Sequence, residues 1–135
     1  MESKAHIELV NSAMAYIKRI IPEPNHIMIQ SDSSGNQSEV RVLGNYIPDI
    51  YYCGNDFVII GEAKTLDDFE RKHSKDQFNA YIEECQVFSG KSYLVIAVPW
   101  QLMFTAKNYF KREKQRKKLN FQIVIINELG KEIIV

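Results

Sequence analysis

The sequence predicts an α/β domain, a mixed central sheet flanked by helices. Three observations carry this. Residues 3–21 set Ile7, Val10, Met14, Ile17 and Ile21 at helical spacing. Three short runs rich in β-branched and aromatic residues follow before any second helix: HIMIQ at 26–30, VRVLGNYIPDIYY at 40–52 and FVIIGEAK at 57–64. Strand and helix patterns then alternate, as they do where helical crossovers join parallel strands. The expected order is α-β-β-β-α-β-α-β, with a short extra strand at the end.

Each element has its own warrant. Pro22 and Pro24 stop the first helix. SDSSGNQSE, 31–39, is polar and reads as a loop. The second strand carries a break at Gly44-Asn45, and Gly54-Asn55 suits a tight hairpin turn into the third. FVIIGEAK is nearly all apolar, as in a central strand covered on both faces. A helix over 67–88 is opened by Thr65 or Asp67 as cap and closed by Ser89-Gly90. SYLVIAV, 92–98, is a buried strand, and Pro99 opens a third helix over 100–118. FQIVIIN, 121–127, is the next strand, and 128–135 forms a turn and a short last strand.

Length and composition bound the function. The chain has 135 residues, enough for one domain spanning 1–135 with its own core. Hydrophobic residues are 45% and charged residues 25%, an ordinary globular composition. No apolar run reaches the roughly 20 residues that span a bilayer, so no membrane partner is expected. MESKAHIEL has no apolar signal core. With only Cys53 and Cys85, a disulfide scaffold, a cysteine zinc site and a four-cysteine iron–sulfur cluster are excluded. A reducing cytoplasm is the expected compartment.

The charge is unevenly spread. KNYFKREKQRKK, 107–118, holds seven Lys or Arg and one Glu, a net of +6 in a chain whose total is zero. Lys107, Lys111, Arg112, Lys114, Arg116, Lys117 and Lys118 are therefore candidate contacts to a nucleic-acid backbone. The plainer reading is a solvated helix whose lysines suit the C-terminal dipole.

The chemistry concentrates in PDIYYCGNDFVIIGEAK, 48–64. Buried charges are costly unless paired or bound to a metal. Glu62 and Lys64 share a strand face, because side chains alternate. A two-residue turn at Gly54-Asn55 sets Asp49 opposite Ile60 on that same face. Asp49 and Glu62 then become diagonal neighbours with Cβ atoms about 7–8 Å apart. Two carboxylates so placed reach one hard cation, with ligand distances of about 2.0–2.1 Å for magnesium. Lys64 offsets their repulsion, or stabilises a phosphate and positions an attacking water. On the next helix Gln77 and Tyr81, four apart, share a stripe with Ser74, Phe78 and Cys85 that faces the sheet.

At these residues the chain resembles the PD-(D/E)XK nuclease superfamily, with its restriction-endonuclease-like three-layer fold. Pro48-Asp49, twelve intervening residues and Glu62-Ala63-Lys64 match the signature. DQFNAY supplies the Q-x-x-x-Y pattern, Gln77 to Tyr81, of the RecB-like and lambda-exonuclease-like branch. The resemblance covers most of the chain in architecture and residues 48–81 in motif. It implies a Mg2+-dependent deoxyribonuclease, with Mn2+ able to substitute. Asp49, Glu62 and the backbone carbonyl of Ala63 would ligate the metal. Lys64 would assist the water nucleophile, and Gln77 and Tyr81 would orient Lys64 or hold a phosphate. Many members add an acidic residue from the first helix; Glu8 is the candidate, although it falls on the polar side. His6 lies nearer the middle of the apolar arc and reads as a core or interface histidine.

The expected activity is hydrolysis of DNA phosphodiester bonds, and the partner is DNA. A chain this short leaves little room for a recognition domain, so a homodimer or larger homo-oligomer would add substrate grip. The rival reading is a non-catalytic nucleic-acid-binding or assembly module that keeps the fold. Retention of Asp49, Glu62 and Lys64 together favours the nuclease.

Overall fold

A computed structural model of the chain describes residues 3–21, 28, 29, 41, 42 and 45–135. The expected stops at Pro22 and Pro24, the loop at 31–39 and Gly44 lie outside the described residues. The elements are α1 (Lys4–Ile20), β1 (Met28–Ile29), β2 (Ile50–Cys53), β3 (Phe57–Ala63), α2 (Lys72–Val87), β4 (Lys91–Ala97), α3 (Met103–Arg116), β5 (Gln122–Ile126) and β6 (Glu132–Ile134). A short 3-10 helix, Trp100–Leu102, leads into α3.

Among the described residues the strands form one six-stranded sheet in sequence order. β3, β4 and β5 run parallel; β1, β2 and β6 join antiparallel at the two sides, so the sheet is mixed. FVIIGEA is apolar throughout because both faces are covered. Val58 and Ile60 pack with Leu94, Ile96, Phe78, Tyr81 and Phe110 under α2 and α3. Ile59 packs with Val95, Val124, Leu9, Ala13 and Ile17 under α1. The result is a three-layer α/β arrangement. No helix among the described residues is long and apolar enough to cross a membrane.

Three local expectations differ from what is observed. The buried side of α1 is Leu9, Val10, Ala13, Met14, Tyr16 and Ile17, while Ile7 is 44% exposed, so the apolar arc is rotated away from Ile7. The second helix starts at Lys72, not 67. Residues 65–70 form a turn in which Asp68 and Phe69 N–H groups donate to the Thr65 carbonyl. Phe69 is fully buried there against Phe78 and Tyr109, packing that a continuous helix from 67 does not reproduce. Thr65 Oγ1 donates to Asp68 Oδ2 instead of capping, and Arg71 is the residue before α2.

The third difference sets the register of the site. The Gly54 N–H donates to the Phe57 carbonyl at 3.0 Å, so the turn residues are Asn55 and Asp56. The strands pair Ile50 with Gly61, Tyr51 with Ile60 and Cys53 with Val58. Moving the turn by one residue slides the pairing by two, which keeps every side chain on its face. Gly61 explains the choice: a Cβ there would lie 3.0 Å from Ile50 Cβ, so Ile50 fills the space the glycine leaves. The expected break before β2 is present, with Asn45 at φ 65° and a bridge between Val42 and Tyr46.

Candidate active site

The site lies where β2 begins and β3 ends, at the carboxyl edge of the parallel strands, the usual place for a ligand in an open α/β sheet. Carrying the register one residue beyond Ile50–Gly61 puts Asp49 directly opposite Glu62, not diagonal to it. Each carboxylate takes a backbone N–H from the other strand. Asp49 N–H donates to Glu62 Oε1 at 3.2 Å, and Ala63 N–H donates to Asp49 Oδ2 at 2.9 Å. The two side chains thus stand in for the ladder bonds at the strand end.

Lys64, Gln77, Tyr81 and Glu62 form a closed ring. Lys64 Nζ donates to Gln77 Oε1 and lies 3.3 Å from Glu62 Oε2. Gln77 Nε2 donates to the Tyr81 hydroxyl at 3.4 Å, and that hydroxyl donates to Glu62 Oε1 at 3.1 Å. The four-residue spacing of Gln77 and Tyr81 on α2 is what lets one helix reach both charges of β3. All four residues are buried, as is Asp49. Burial is the main cause that pushes the Glu62 carboxyl up to about 8; the charge of Asp49 adds to it, and Lys64 offsets only part. Burial, then the charge of Glu62, also pushes the Tyr81 hydroxyl strongly upward, so it stays a proton donor.

The cleft over this cluster measures about 640 Å3 and is walled by α1, β3, the 65–70 turn and α2. His6, Arg71 and His73 stand around it, none of them marked by the motif. His6 Nε2 lies 3.1 Å from Asp49 Oδ2. Ser3 explains its position, since the Ser3 hydroxyl accepts the His6 backbone N–H and caps α1. The sequence signal was present: Ser3 as cap fixes where α1 starts, and His6 then lies on the arc of Leu9, Ala13 and Ile17. Only the packing of α1 showed what it meets. Glu8 is exposed and lines a neighbouring cleft, away from the carboxylates.

The basic residues do not converge on the carboxylates. The 14 residues of α3 span about 21 Å and lead away from this edge of the sheet, so Lys114, Arg116, Lys117 and Lys118 lie at the far end. Arg116 and Lys117 pair with Glu113 at 2.8 Å and 3.1 Å. Burial acts against the Glu113 charge, but hydrogen bonds from Arg116 and Lys117 outweigh it and hold its carboxyl below the usual range. Lys114 donates to the Val135 oxygen at 2.9 Å. Lys111 and Arg112 are exposed mid-helix, and Lys107 is half-buried nearer the site.

Among the described residues no group of three or more His, Cys, Asp or Glu side chains is placed to hold a metal ion. Asp49 and Glu62 provide two carboxylates on one face of a cleft, and both hydrogen bonds to the Asp49 carboxylate are made at Oδ2. This donor set fits magnesium, which binds through one or two carboxylates plus substrate phosphate and water, not through an all-protein cage. Comparison of the chain with protein-family models, with curated proteins and with solved structures gave no match.

Proposed function

We propose that the chain is a divalent-metal-dependent nuclease that hydrolyses phosphodiester bonds of DNA, on a restriction-endonuclease-like fold. The observation that carries this reading is the pairing of Asp49 with Glu62, with Lys64 held beside them in one cleft. Two carboxylates kept face to face raise each other's charge cost, and a divalent cation relieves it. A purely structural network would be better served by one carboxylate and one lysine.

In the reaction Asp49 and Glu62, with the backbone carbonyl of Ala63, would hold Mg2+ or Mn2+. The ion when bound supplies a nucleophile from water and neutralises charge on the phosphoryl oxygens. Lys64 places its ammonium next to the attacked phosphate, where it favours the added negative charge. Gln77 holds the Lys64 ammonium, and Tyr81 holds Glu62 Oε1, which leaves Oε2 beside the lysine. Arg71 and His73 at the cleft wall are suited to the flanking phosphates. The basic face of α3 supports DNA grip at a distance from the chemistry.

Cleavage of single-stranded, duplex and branched DNA, assayed with Mg2+, Mn2+ and EDTA, tests the proposal. Activity should need the metal and fall at least about 100-fold in Asp49→Asn and Lys64→Met. Calorimetric titration of Mn2+ should give heat with the natural chain and none with Asp49→Asn. Binding of DNA without cleavage of any substrate in either metal would return the chain to the binding-module reading.

A further inference from the structure

The turn between β3 and α2 is built around Asp68. Thr65 Oγ1 donates to Asp68 Oδ2 at 3.1 Å, and Ser74 Oγ donates to the Asp68 carbonyl at 2.6 Å. The Arg71 backbone N–H donates to that same carbonyl at 3.1 Å. Phe69, fully buried against Phe78, anchors the turn to the core. The Arg71 side chain is caught along one edge only. Its Nε donates to the Asp67 carbonyl at 3.0 Å and lies 3.5 Å from Asp68 Oδ1. Among the described residues no hydrogen bond or ion pair is found for its Nη1 and Nη2 groups. A guanidinium held at Nε and open at both Nη groups presents a two-pronged donor fork to one ligand.

Arg71 lines the same cleft as Asp49, Glu62 and Lys64. That cleft, about 640 Å3, has the size of a site for a whole small molecule and not for one phosphate. The neighbouring cations are engaged elsewhere: Lys72 pairs with Asp76 and Lys75 with Glu70, and neither lines the cleft. The Arg71–Asp68 pair is solvent-exposed and loose at 3.5 Å, so it orients the guanidinium and competes little with a phosphate. Successive phosphates of one strand follow every nucleotide, about 3.4 Å apart along a helix axis. Those of the opposite strand lie across a groove about 6–12 Å wide. The phosphate that shares a cleft with the scissile one is therefore its neighbour on the same strand.

We infer that Arg71 holds the phosphate next to the scissile one on the same DNA strand, and that Asp68 is the residue that positions it. The smallest good substrate therefore carries two consecutive phosphates. The inference rests on the nuclease reading, which puts the scissile phosphate at Asp49, Glu62 and Lys64. Arg71 acts by binding, so its effect falls on KM more than on kcat. Asp68 acts through Arg71, so its effect depends on Arg71 being present.

The full chain is assayed in Mn2+ with a single-stranded oligonucleotide and with bis(p-nitrophenyl) phosphate, which has one phosphodiester and no neighbour. Arg71→Met should raise KM for the oligonucleotide about 10-fold or more, as loss of a charge-assisted partner does. Its loss on bis(p-nitrophenyl) phosphate should be much smaller. Arg71→Lys keeps the charge without the fork and should recover only part. In EDTA, the slope of log oligonucleotide affinity against log salt should drop by about 0.7 in Arg71→Met, one phosphate contact on a single strand. Asp68→Asn should raise the oligonucleotide KM in the natural chain and leave it where it is in an Arg71→Met background. Equal losses on both substrates, an unmoved salt slope, or an Asp68→Asn effect that persists without Arg71 overturns the inference. Oligonucleotide affinity that falls in Arg71→Met while neither substrate is cleaved rejects the nuclease and keeps the phosphate subsite. Cleavage whose oligonucleotide KM is unmoved in Arg71→Met does the reverse.

Discussion

Asp49 takes its hydrogen bonds from a backbone N–H and from the imidazole of His6, and the second of these is open to substitution. Under the proposed metal site His6 would act through Asp49, which it contacts, so it is a positioning residue. Removing such a partner commonly costs about 10- to 100-fold in metal affinity or activity. His6→Ala should therefore weaken Mn2+ binding, measured by calorimetry, by about that factor. His6→Gln keeps an N–H donor and should recover most of it. Equal losses in both variants, or none in His6→Ala, would mean that His6 only fills the end of α1. Glu8→Gln should leave Mn2+ affinity where it is, because Glu8 lines a different cleft.

At the level of elements, the β2–β3 hairpin carries the site because Gly61 lets Ile50 lie against it. Gly61→Ala places a Cβ 3.0 Å from Ile50 Cβ, inside a buried pair. Overpacking of this kind costs about 1–3 kcal/mol, read from urea unfolding. The strain also separates β2 from β3 one residue from Asp49–Glu62, so Mn2+ affinity should fall with it. Unchanged stability in Gly61→Ala would show that the register is set elsewhere. In α3 the basic residues divide. Arg116 and Lys117 already pair with Glu113, whereas Lys111 and Arg112 are exposed and no hydrogen bond or ion pair is found for them among the described residues. Neutralising Lys111 and Arg112 should lower the slope of log affinity against log salt by about 0.7–0.9 per lost phosphate contact. Neutralising Arg116 and Lys117 should change it less. Equal slopes in all variants would leave α3 as a solvated face.

Across the whole molecule, Glu62 links the site to folding stability. Its carboxyl is raised to about 8 in the folded chain by burial and then by Asp49, against an ordinary 4.5. Between those values the unfolded chain gives up a proton that the folded chain keeps. Without metal, stability should therefore be highest on the acid side and fall as pH rises from 4.5 to 8. Glu62→Gln removes the titrating group, so the variant should lack this decline and the difference between the two chains should change across that window, as measured by urea unfolding in EDTA. A natural chain and a Glu62→Gln variant with parallel pH profiles would contradict the burial argument.

The sequence by itself determined the layer architecture and the order of elements. It did so because the apolar runs in FVIIGEAK, SYLVIAV and FQIVIIN and the helical spacing in residues 3–21 are local consequences of which side chains must leave water. It also gave the face shared by Asp49, Glu62 and Lys64, since a slide of two residues leaves faces unchanged. The side-by-side placement of Gln77 and Tyr81 followed from their spacing on α2. Only the tertiary structure decided the rest. The hairpin register depended on Ile50 meeting Gly61, a contact between strands that no single segment specifies. The late start of α2 depended on Phe69 finding the Phe78–Tyr109 cluster. The entry of His6, and not Glu8, depended on how α1 is rotated on the sheet. These features share one cause: each is a packing choice between segments distant in sequence, and hydrophobic pattern fixes which side is buried without fixing what it is buried against.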